Sequence, residues 1–426
     1  MEMLKRSKMA PMTVEGRAGW GPSASAEDKA VIAALEQLPR IEHLTLSFPR
    51  GWPKLKEISS ILSGAAPLLH TFQIHSDDSQ TMIPETIFSG PGGAPQLRRL
   101  SLAGCSVSWE SEFLRSLTHL TVVQVPTARR LSVNDLITNL GHMPQLESIH
   151  LSSVLAPLEH SELNASSCPS TLLPSITRLH LEESLMSCLA FFTNFTYPNT
   201  AIVSIQCSGS AYHTDNVMPS VRDLITTINA KNIVPITSLY VNNLYNGTFR
   251  AQDSQEINRV FVEFRSVLLQ PSSISWDSLS LHHLKSLHVV GIMIQRSVWL
   301  GVFGKLKKLE TIVIRYHANE LLGALSRGIS RGLAGADATV TSTPRKLKFS
   351  ALKSLSLRGM DEHCGERPWV ETLPLCFRER RRRGLTLRRL CIEGHGGGAD
   401  VVCQVRPLIK HVKWTEVYGD TGGNIG

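Results

Sequence analysis

Two short segments have the spacing of hydrolase motifs. Residues 328–332 read GISRG, the G-x-S-x-G pattern in which a serine, here Ser330, is the nucleophile at a strand-to-helix turn. Residues 395–399 read HGGGA, the form of an oxyanion loop in some esterases. However, Ser330 lies inside a segment of helical periodicity, and the HGGG loop of those hydrolases precedes the serine instead of following it. We therefore predict that the protein is not an enzyme and has no catalytic residues.

Metal and cofactor motifs are equally weak. Residues 361–366, DEHCGE, contain metal-ligating residue types without a second cluster to complete a site, so they are better interpreted as a polar turn. The sequence contains no Walker phosphate loop, no H-E-x-x-H motif and no paired Cys/His zinc spacing. We expect no metal ion and no cofactor.

Arginine, histidine and tyrosine recur beside short apolar segments. These candidate partner-binding residues are Arg99, His119, His150, Arg178, His180, Tyr240, His288, Arg315, Arg358 and Arg389, and the acidic residues Glu182 and Glu393 occupy similar positions. Five arginines against two glutamates favour an acidic protein partner. Nucleic-acid binding is the weaker alternative, because it usually needs aromatic side chains between the cations, and Tyr240 is the single aromatic residue of the set.

The apolar segments beside these residues follow one template. Residues 97–107 have the pattern L-x-x-L-x-L-x-x-C-x-V, close to the leucine-rich-repeat template. Twelve segments share its central L-x-L alternation, which is typical of a short strand with one buried face. Their middle apolar residues are Leu44, Phe72, Leu100, Leu120, Ile149, Leu179, Val203, Leu239, Leu287, Ile312, Leu355 and Leu390.

Helical periodicity follows several of these strands. The helical segments are residues 112–120, 133–143, 221–230, 257–269 and 297–309. A strand–helix unit this small must stack on its neighbours to bury its apolar face. The sequence therefore predicts an α/β leucine-rich-repeat solenoid of about twelve strand–helix repeats, with a parallel sheet on the concave side. An ordinary α/β domain with leucine-rich strands is the alternative.

The repeats are not uniform. The template's Asn/Cys position is filled by Cys105 in one repeat but by Pro49, Val125 or Ser184 in others. No asparagine ladder then links successive turns, so we expect an irregular horseshoe.

The amino-acid composition bears on the cellular compartment of the protein. The hydrophobic content of 42% and charged content of 19% are typical of a folded protein, and the formal net charge is +8. No apolar run reaches the roughly eighteen residues that span a bilayer, and the N-terminus has no apolar signal segment. Eight scattered cysteines without a C-x-x-C pair favour a reducing compartment. We expect a cytoplasmic and/or nuclear protein that does not bind membranes.

We predict one domain with less ordered ends: a non-repeat lead-in at residues 1–26, partly disordered, the repeats at 27–415 and a flexible glycine-rich tail at 416–426. Arginines cluster at residues 378–389, and Arg345, Lys346 and Lys348 add to the charge. A solvated helix end explains the cluster most simply, because Arg complements the helix dipole. A nuclear import signal or a docking patch for an acidic partner are the alternatives.

The order of several segments resembles a known family. RSKMAPMTVEG, ALEQLPRIEHLTLSF, APLLHTFQI, LPSITRLHLEES and FFTNFTYPNTAIVSIQC, spread over roughly residues 1–300, resemble the leucine-rich-repeat regions of fungal F-box proteins. The resemblance implies that the repeats recognise a substrate while an F-box docks on the Skp adaptor of a cullin ubiquitin ligase. We find no F-box motif in this sequence, so we expect Skp binding only if a longer form of the protein supplies one.

We therefore predict a protein–protein interaction module, the substrate-recognition region of an F-box-type ubiquitin ligase subunit. The alternatives are a stand-alone repeat scaffold without ubiquitin chemistry and, less favoured, a basic nucleic-acid-binding solenoid.

Overall fold

A computed structural model describes residues 10–17, 24–50, 55–77, 81–158, 171–208, 217–231, 234–244, 246–265, 274–326, 348–360, 368–394 and 398–416. The chain divides into two compact units, residues 1–208 (unit 1) and 209–426 (unit 2). Each unit combines an open sheet with helices, so the α/β class is confirmed.

Unit 1 contains twelve strands among its described residues. They are β1 (Met12–Arg17), β2 (Ile41–Phe48), β3 (Thr71–Ser76), β4 (Met82–Ile83), β5 (Arg99–Ala103), β6 (Ser106–Val107), β7 (His119–Val123), β8 (Ser148–Ser152), β9 (Thr171–Leu172), β10 (Arg178–Ser184), β11 (Phe195–Thr196) and β12 (Ile202–Ser208). The main sheet has the order β1-β2-β3-β5-β7-β8-β10-β12, and its strands are parallel. Two small pairs, β4 with β6 and β9 with β11, lie outside it.

The predicted repeat positions of unit 1 lie in one register. Leu44, Phe72, Leu100, Leu120, Ile149, Leu179 and Val203 are direct partners on successive strands. Each of these side chains is at most 2% exposed. The alternation therefore predicted both the strands and their buried face correctly. The strand β1 was not predicted, and it forms within the expected lead-in.

The helices of unit 1 are α1 (Ala24–Leu35), α2 (Leu55–Leu62), α3 (Val133–Gly141) and α4 (Leu185–Asn194). Ser132 caps α3 by accepting a hydrogen bond from the Asp135 backbone N–H at 3.1 Å, and Ser184 caps α4 through the Ser187 N–H in the same way. Residues 112–116, predicted as α-helix, instead form one 3₁₀ turn. A helix is thus not present in every repeat.

A residue in the left-handed backbone conformation directly follows three adjacent strands of unit 1. Gly104, Gln124 and Ser153 follow β5, β7 and β8 with φ angles of 67°, 56° and 54°. Each donates its N–H to a carbonyl of the next strand: Gly104 to Val123, Gln124 to Ser152 and Ser153 to Glu182, at 2.8–3.0 Å. This turn is a second repeated feature, since it ends consecutive strands in the same conformation.

Unit 2 contains eight described strands. They are β13 (Ser238–Asn242), β14 (Gly247–Gln252), β15 (Asn258–Phe264), β16 (Ser286–Val290), β17 (Thr311–Arg315), β18 (Ser354–Met360), β19 (Arg389–Gly394) and β20 (His411–Glu416). Their order is β15-β14-β13-β16-β17-β18-β19-β20. The helices are α5 (Val217–Lys231), α6 (Arg296–Gly301), α7 (Asn319–Leu325), α8 (Pro368–Arg382) and α9 (Gly398–Val405). The predicted positions Leu239, Leu287, Ile312, Leu355 and Leu390 are again in register.

The prediction of an all-parallel sheet is wrong in unit 2. β13 pairs with β14, and β14 with β15, in antiparallel orientation. Residues 257–269 were predicted as helix, but Val260, Val262 and Phe264 alternate into the core as a strand. The expected order of one strand and one helix in each repeat is therefore interrupted by an antiparallel meander.

Asp253 fixes the turn between β14 and β15. Its carboxylate accepts hydrogen bonds from the backbone N–H groups of Gln255 and Ile257 at 2.8 and 3.1 Å, and pairs with Arg259 Nε at 2.8 Å. Burial opposes ionisation, but these donors together hold the pKa of Asp253 below its ordinary value. This local turn chemistry selects a hairpin where the apolar residues alone also fitted a helix.

Candidate functional site

The predicted binding residues of unit 1 lie on one face of its sheet. We call this face, opposite the buried apolar side chains of β5, β7, β8 and β10, the polar face of unit 1. Arg99, His119, Ser148 and Arg178 occupy equivalent positions on these four adjacent strands. With a strand spacing of about 4.8 Å, the Cα atoms of Arg99 and Arg178 are roughly 14 Å apart. The two exposed arginines therefore flank a short row of polar side chains.

His119 lies between the two arginines in this row. Its Nδ1 atom is 2.9 Å from the Thr118 hydroxyl. Burial and then the charge of Arg99 lower the pKa of His119, and Arg178 adds to this effect against the opposing charge of Glu147. The imidazole is thus neutral near pH 7, and the positive charge of this row is concentrated on the arginines.

A second row on the polar face of unit 1 contains His150 and His180. Their rings are edge to face with centroids 4.3 Å apart, and His180 Nδ1 is 3.0 Å from the Ser204 hydroxyl. Burial lowers the pKa of His150 although Glu182 opposes this shift. Glu182 itself accepts a hydrogen bond from the Ser152 hydroxyl at 3.0 Å. This row is less charged than the row of Arg99 and Arg178.

In unit 2, Tyr240 and His288 are direct partners on β13 and β16. Their ring centroids are 6.4 Å apart, and the Arg250 guanidinium lies 5.5 Å from the Tyr240 ring centroid. Burial, followed by the charge of Arg358, lowers the pKa of His288. This pair forms a partly buried aromatic patch beside a cation.

Arg315 and Arg358 are direct partners on β17 and β18. The guanidinium of Arg315 lies 5.3 Å from the ring centroid of Tyr316, while Arg358 Nε is 3.7 Å from a carboxylate oxygen of Glu393. Arg389, on β19, starts its strand and is exposed. The structure therefore brings Arg315 and Arg358 together but leaves Arg389 at a different level of the sheet.

Sequence reasoning missed a basic cavity of about 1080 Å³ in unit 2. It lies where β17 to β20 begin and where α8 and the residues after α9 approach them. The basic residues among its lining are Lys353, Arg381, Arg388, Arg389, Arg406, Lys410 and His411, and no acidic residue lines it within the described part of unit 2. The segment HVKWTE (β20) alternates polar and apolar residues, and this alternation could have predicted the last strand beside the cavity.

The arginine cluster at 378–389 has several roles. Arg380 is 6% exposed and donates hydrogen bonds to the carbonyls of Lys348 and Phe349 at 3.3 and 2.8 Å. Burial lowers the pKa of its guanidinium. Arg382 and Arg383 both pair with Glu379. The cluster therefore combines a buried structural arginine, a surface ion-pair group on α8 and, in Arg381, Arg388 and Arg389, part of the cavity lining; the burial of Arg380 departs from the predicted solvated helix end.

Several predicted features lie outside the described residues. They are Ser330, the glycines at 396 and 397, the segment 361–366, Arg345 and Lys346. Across the described ranges, no group of three or more His, Cys, Asp or Glu side chains could hold a metal ion. In the same ranges, no helix has the length and apolar character needed to cross a bilayer.

The comparisons with known proteins give no family assignment. No protein-family model and no curated protein sequence matches the chain.

Proposed function

We propose that the protein is a leucine-rich-repeat solenoid that binds other proteins through the polar faces of its sheets. Three repeated features support the repeat architecture: the common register of the buried apolar residues, the left-handed turn after successive strands and the parallel ladder. In unit 1 the ladder is continued by the N–H groups of Thr118, Glu147 and Thr177, which donate to Arg98, Thr118 and Glu147 carbonyls on preceding repeats at 2.8 Å.

The proposal of an acidic protein partner is supported by the row of Arg99, His119, Ser148 and Arg178. Within the described residues, neither Arg99 nor Arg178 has an ion pair, and both are exposed. A carboxylate-rich surface placed over this row would satisfy two guanidinium groups that are held about 14 Å apart by the ladder. Such charge complementarity affects association rate and specificity more than raw affinity.

A capture experiment tests this function. The purified chain, immobilised and exposed to native lysate, should enrich proteins of low isoelectric point, and the Arg99→Glu/Arg178→Glu variant should lose them. The matched control is Arg115→Glu/Arg129→Glu, which changes the net charge of unit 1 equally at exposed residues off the polar face. Equal losses in both variants would mean that net charge, and not this face, determines capture.

We further propose that the bound partners are substrates of a cullin ubiquitin ligase. This role is supported only by the resemblance of residues 1–300 to the repeat regions of fungal F-box proteins. Co-purification of a Skp adaptor with the longest cellular form of the protein tests it. If partners bind and no Skp adaptor is recovered with any form, the protein is a stand-alone scaffold.

A further inference from the structure

Two rows of residues on the adjacent strands β18, β19 and β20 line the basic cavity of unit 2. Ser354, Arg389 and His411 are direct partners at the starts of β18, β19 and β20. The residues that immediately precede these strands are Lys353, Arg388 and Lys410. Their backbones are linked, because Arg388 N–H donates to the Lys353 carbonyl at 2.7 Å and His411 N–H donates to the Arg388 carbonyl at 3.0 Å.

This arrangement places like charges at the spacing of the strands. The backbones of Lys353, Arg388 and Lys410 follow one another at intervals of about 4.8 Å along the sheet, and Arg389 lies beside them on the next residue of its strand. Arg406, from the residues after α9, adds a further exposed cation. In water such a cluster is self-repelling unless an anion neutralises it.

Two carboxylates of unit 2 are already paired. Glu310 pairs with the cavity's own Lys353 at 2.6 Å and so neutralises that cation, and Glu379 pairs with Arg382 and Arg383, which do not line the cavity. Arg381 donates to the Pro407 carbonyl at 2.5 Å. Among the described residues, four further basic side chains of the cavity have no ion pair: Arg388, Arg389, Arg406 and Lys410.

We infer that this cavity binds a small oligophosphate, an anion with two or more linked phosphate groups. Its volume of about 1080 Å³ is large enough to admit a small polyanion. Guanidinium groups bind phosphate oxygens in bidentate geometry, and the hydroxyls of Thr311, Ser354 and Thr386 line the same space as additional donors.

The density of charge favours linked phosphates over an acidic peptide. An extended peptide presents at most one carboxylate on one face every second residue, about 6.6–6.8 Å apart, whereas linked phosphates carry their charge over a shorter length. A single orthophosphate carries too little charge to neutralise the whole cluster, whereas a linked chain of phosphates reaches successive cations. This site is separate from the polar face of unit 1 and does not depend on the function proposed for that face.

Isothermal titration with sodium tripolyphosphate, at ionic strength held constant with NaCl, tests the inference. The full chain should bind tripolyphosphate at least about tenfold more tightly than orthophosphate, and tripolyphosphate should raise its melting temperature. Equal affinity for the two anions at constant ionic strength would overturn the proposal, because it would indicate general screening.

Two variants localise the site. Arg389→Gln/Arg406→Gln/Lys410→Gln should weaken tripolyphosphate binding by more than about tenfold, the ratio expected from losing one charge-assisted hydrogen bond. The control Lys305→Gln/Lys307→Gln/Arg378→Gln removes the same charge at exposed positions of unit 2 outside the cavity, and should change the affinity less than about twofold. A larger loss in the control than in the cavity variant would contradict the assignment.

A competition experiment separates a small anion from a nucleic acid. A fluorescent single-stranded oligonucleotide is the probe. If it binds more tightly than tripolyphosphate, and the cavity variant loses this binding while the control variant keeps it, the cavity is part of a nucleic-acid groove and the oligophosphate assignment is wrong. Displacement at the concentration that saturates the titration supports the assignment. Circular dichroism of each variant confirms that the fold is retained.

Discussion

The imidazole rings of His150 and His180 lie edge to face on neighbouring strands, with centroids 4.3 Å apart. Two imidazolium groups at this distance would repel each other strongly, so the arrangement requires that at least one ring is neutral. Burial lowers the pKa of His150, which is consistent with this requirement. The polar face of unit 1 therefore includes an acid-sensitive contact.

Stability should decrease on acidification. Burial lowers the pKa values of His119, His150 and His288 in the folded state below the 6.5 of the unfolded chain. Below pH 6.5 the unfolded state binds more protons at these sites, so the free energy of unfolding falls as the pH decreases. Melting temperatures measured from pH 7.5 to 5 should fall more for the parent than for His150→Gln. Identical pH dependence in the two proteins would contradict the shift at His150.

The register predicts that substitutions at two adjacent positions of β5 change the free energy of unfolding by very different amounts. Leu100 is 2% exposed, so Leu100→Ala should lower the free energy of unfolding by about 2–5 kcal/mol. Ser101 lies on the polar face, and Ser101→Ala should change it by less than about 0.5 kcal/mol. Urea denaturation measures both. Similar costs for the two variants would indicate that β5 is turned or displaced.

The turn after β5 should tolerate only glycine. Gly104 has a φ of 67°, and a Cβ built there would lie 1.9 Å from the Ser76 carbonyl oxygen. Gly104→Ala should therefore destabilise the protein by more than the roughly 1–2 kcal/mol cost of the left-handed conformation. Gly301→Ala is the control, because no atom lies within 4 Å of its added Cβ, and it should be neutral or stabilising. Thermal melts that show no difference between the two would argue against this turn.

The buried arginine of α8 should be structural. Arg380→Gln removes donors to the buried carbonyl of Phe349 and the partly buried carbonyl of Lys348 and should cost about 1–3 kcal/mol, whereas Arg378→Gln, at an exposed position, should cost less than about 0.5 kcal/mol. Chemical denaturation distinguishes them. An unchanged midpoint for Arg380→Gln would mean that the whole arginine cluster is surface charge.

The sequence predicted the strands well because their signal is local. Even the weak copy at Val203 has the alternation that places it in register with Leu179. The meander at Val260 and Val262 was missed because an apolar segment of that length also fits a helix, and Asp253 decides between them through its turn contacts. The basic cavity was missed because Lys353, Arg389 and His411 are far apart in the chain, and only the ladder between their strands brings them together.

The most direct test of the central claim is photocrosslinking from the polar face of unit 1. Ser101 and Thr121 are direct partners beside the row of Arg99 and His119, while Thr138 is exposed on α3. A benzophenone amino acid placed at Thr121 in cells should give adducts with proteins of low isoelectric point, and Arg99→Glu/Arg178→Glu should abolish them. The same group at Thr138 should give none of these adducts. Adducts that form from Thr138 and not from Thr121, or that survive the charge reversal, would show that partners bind elsewhere on the protein.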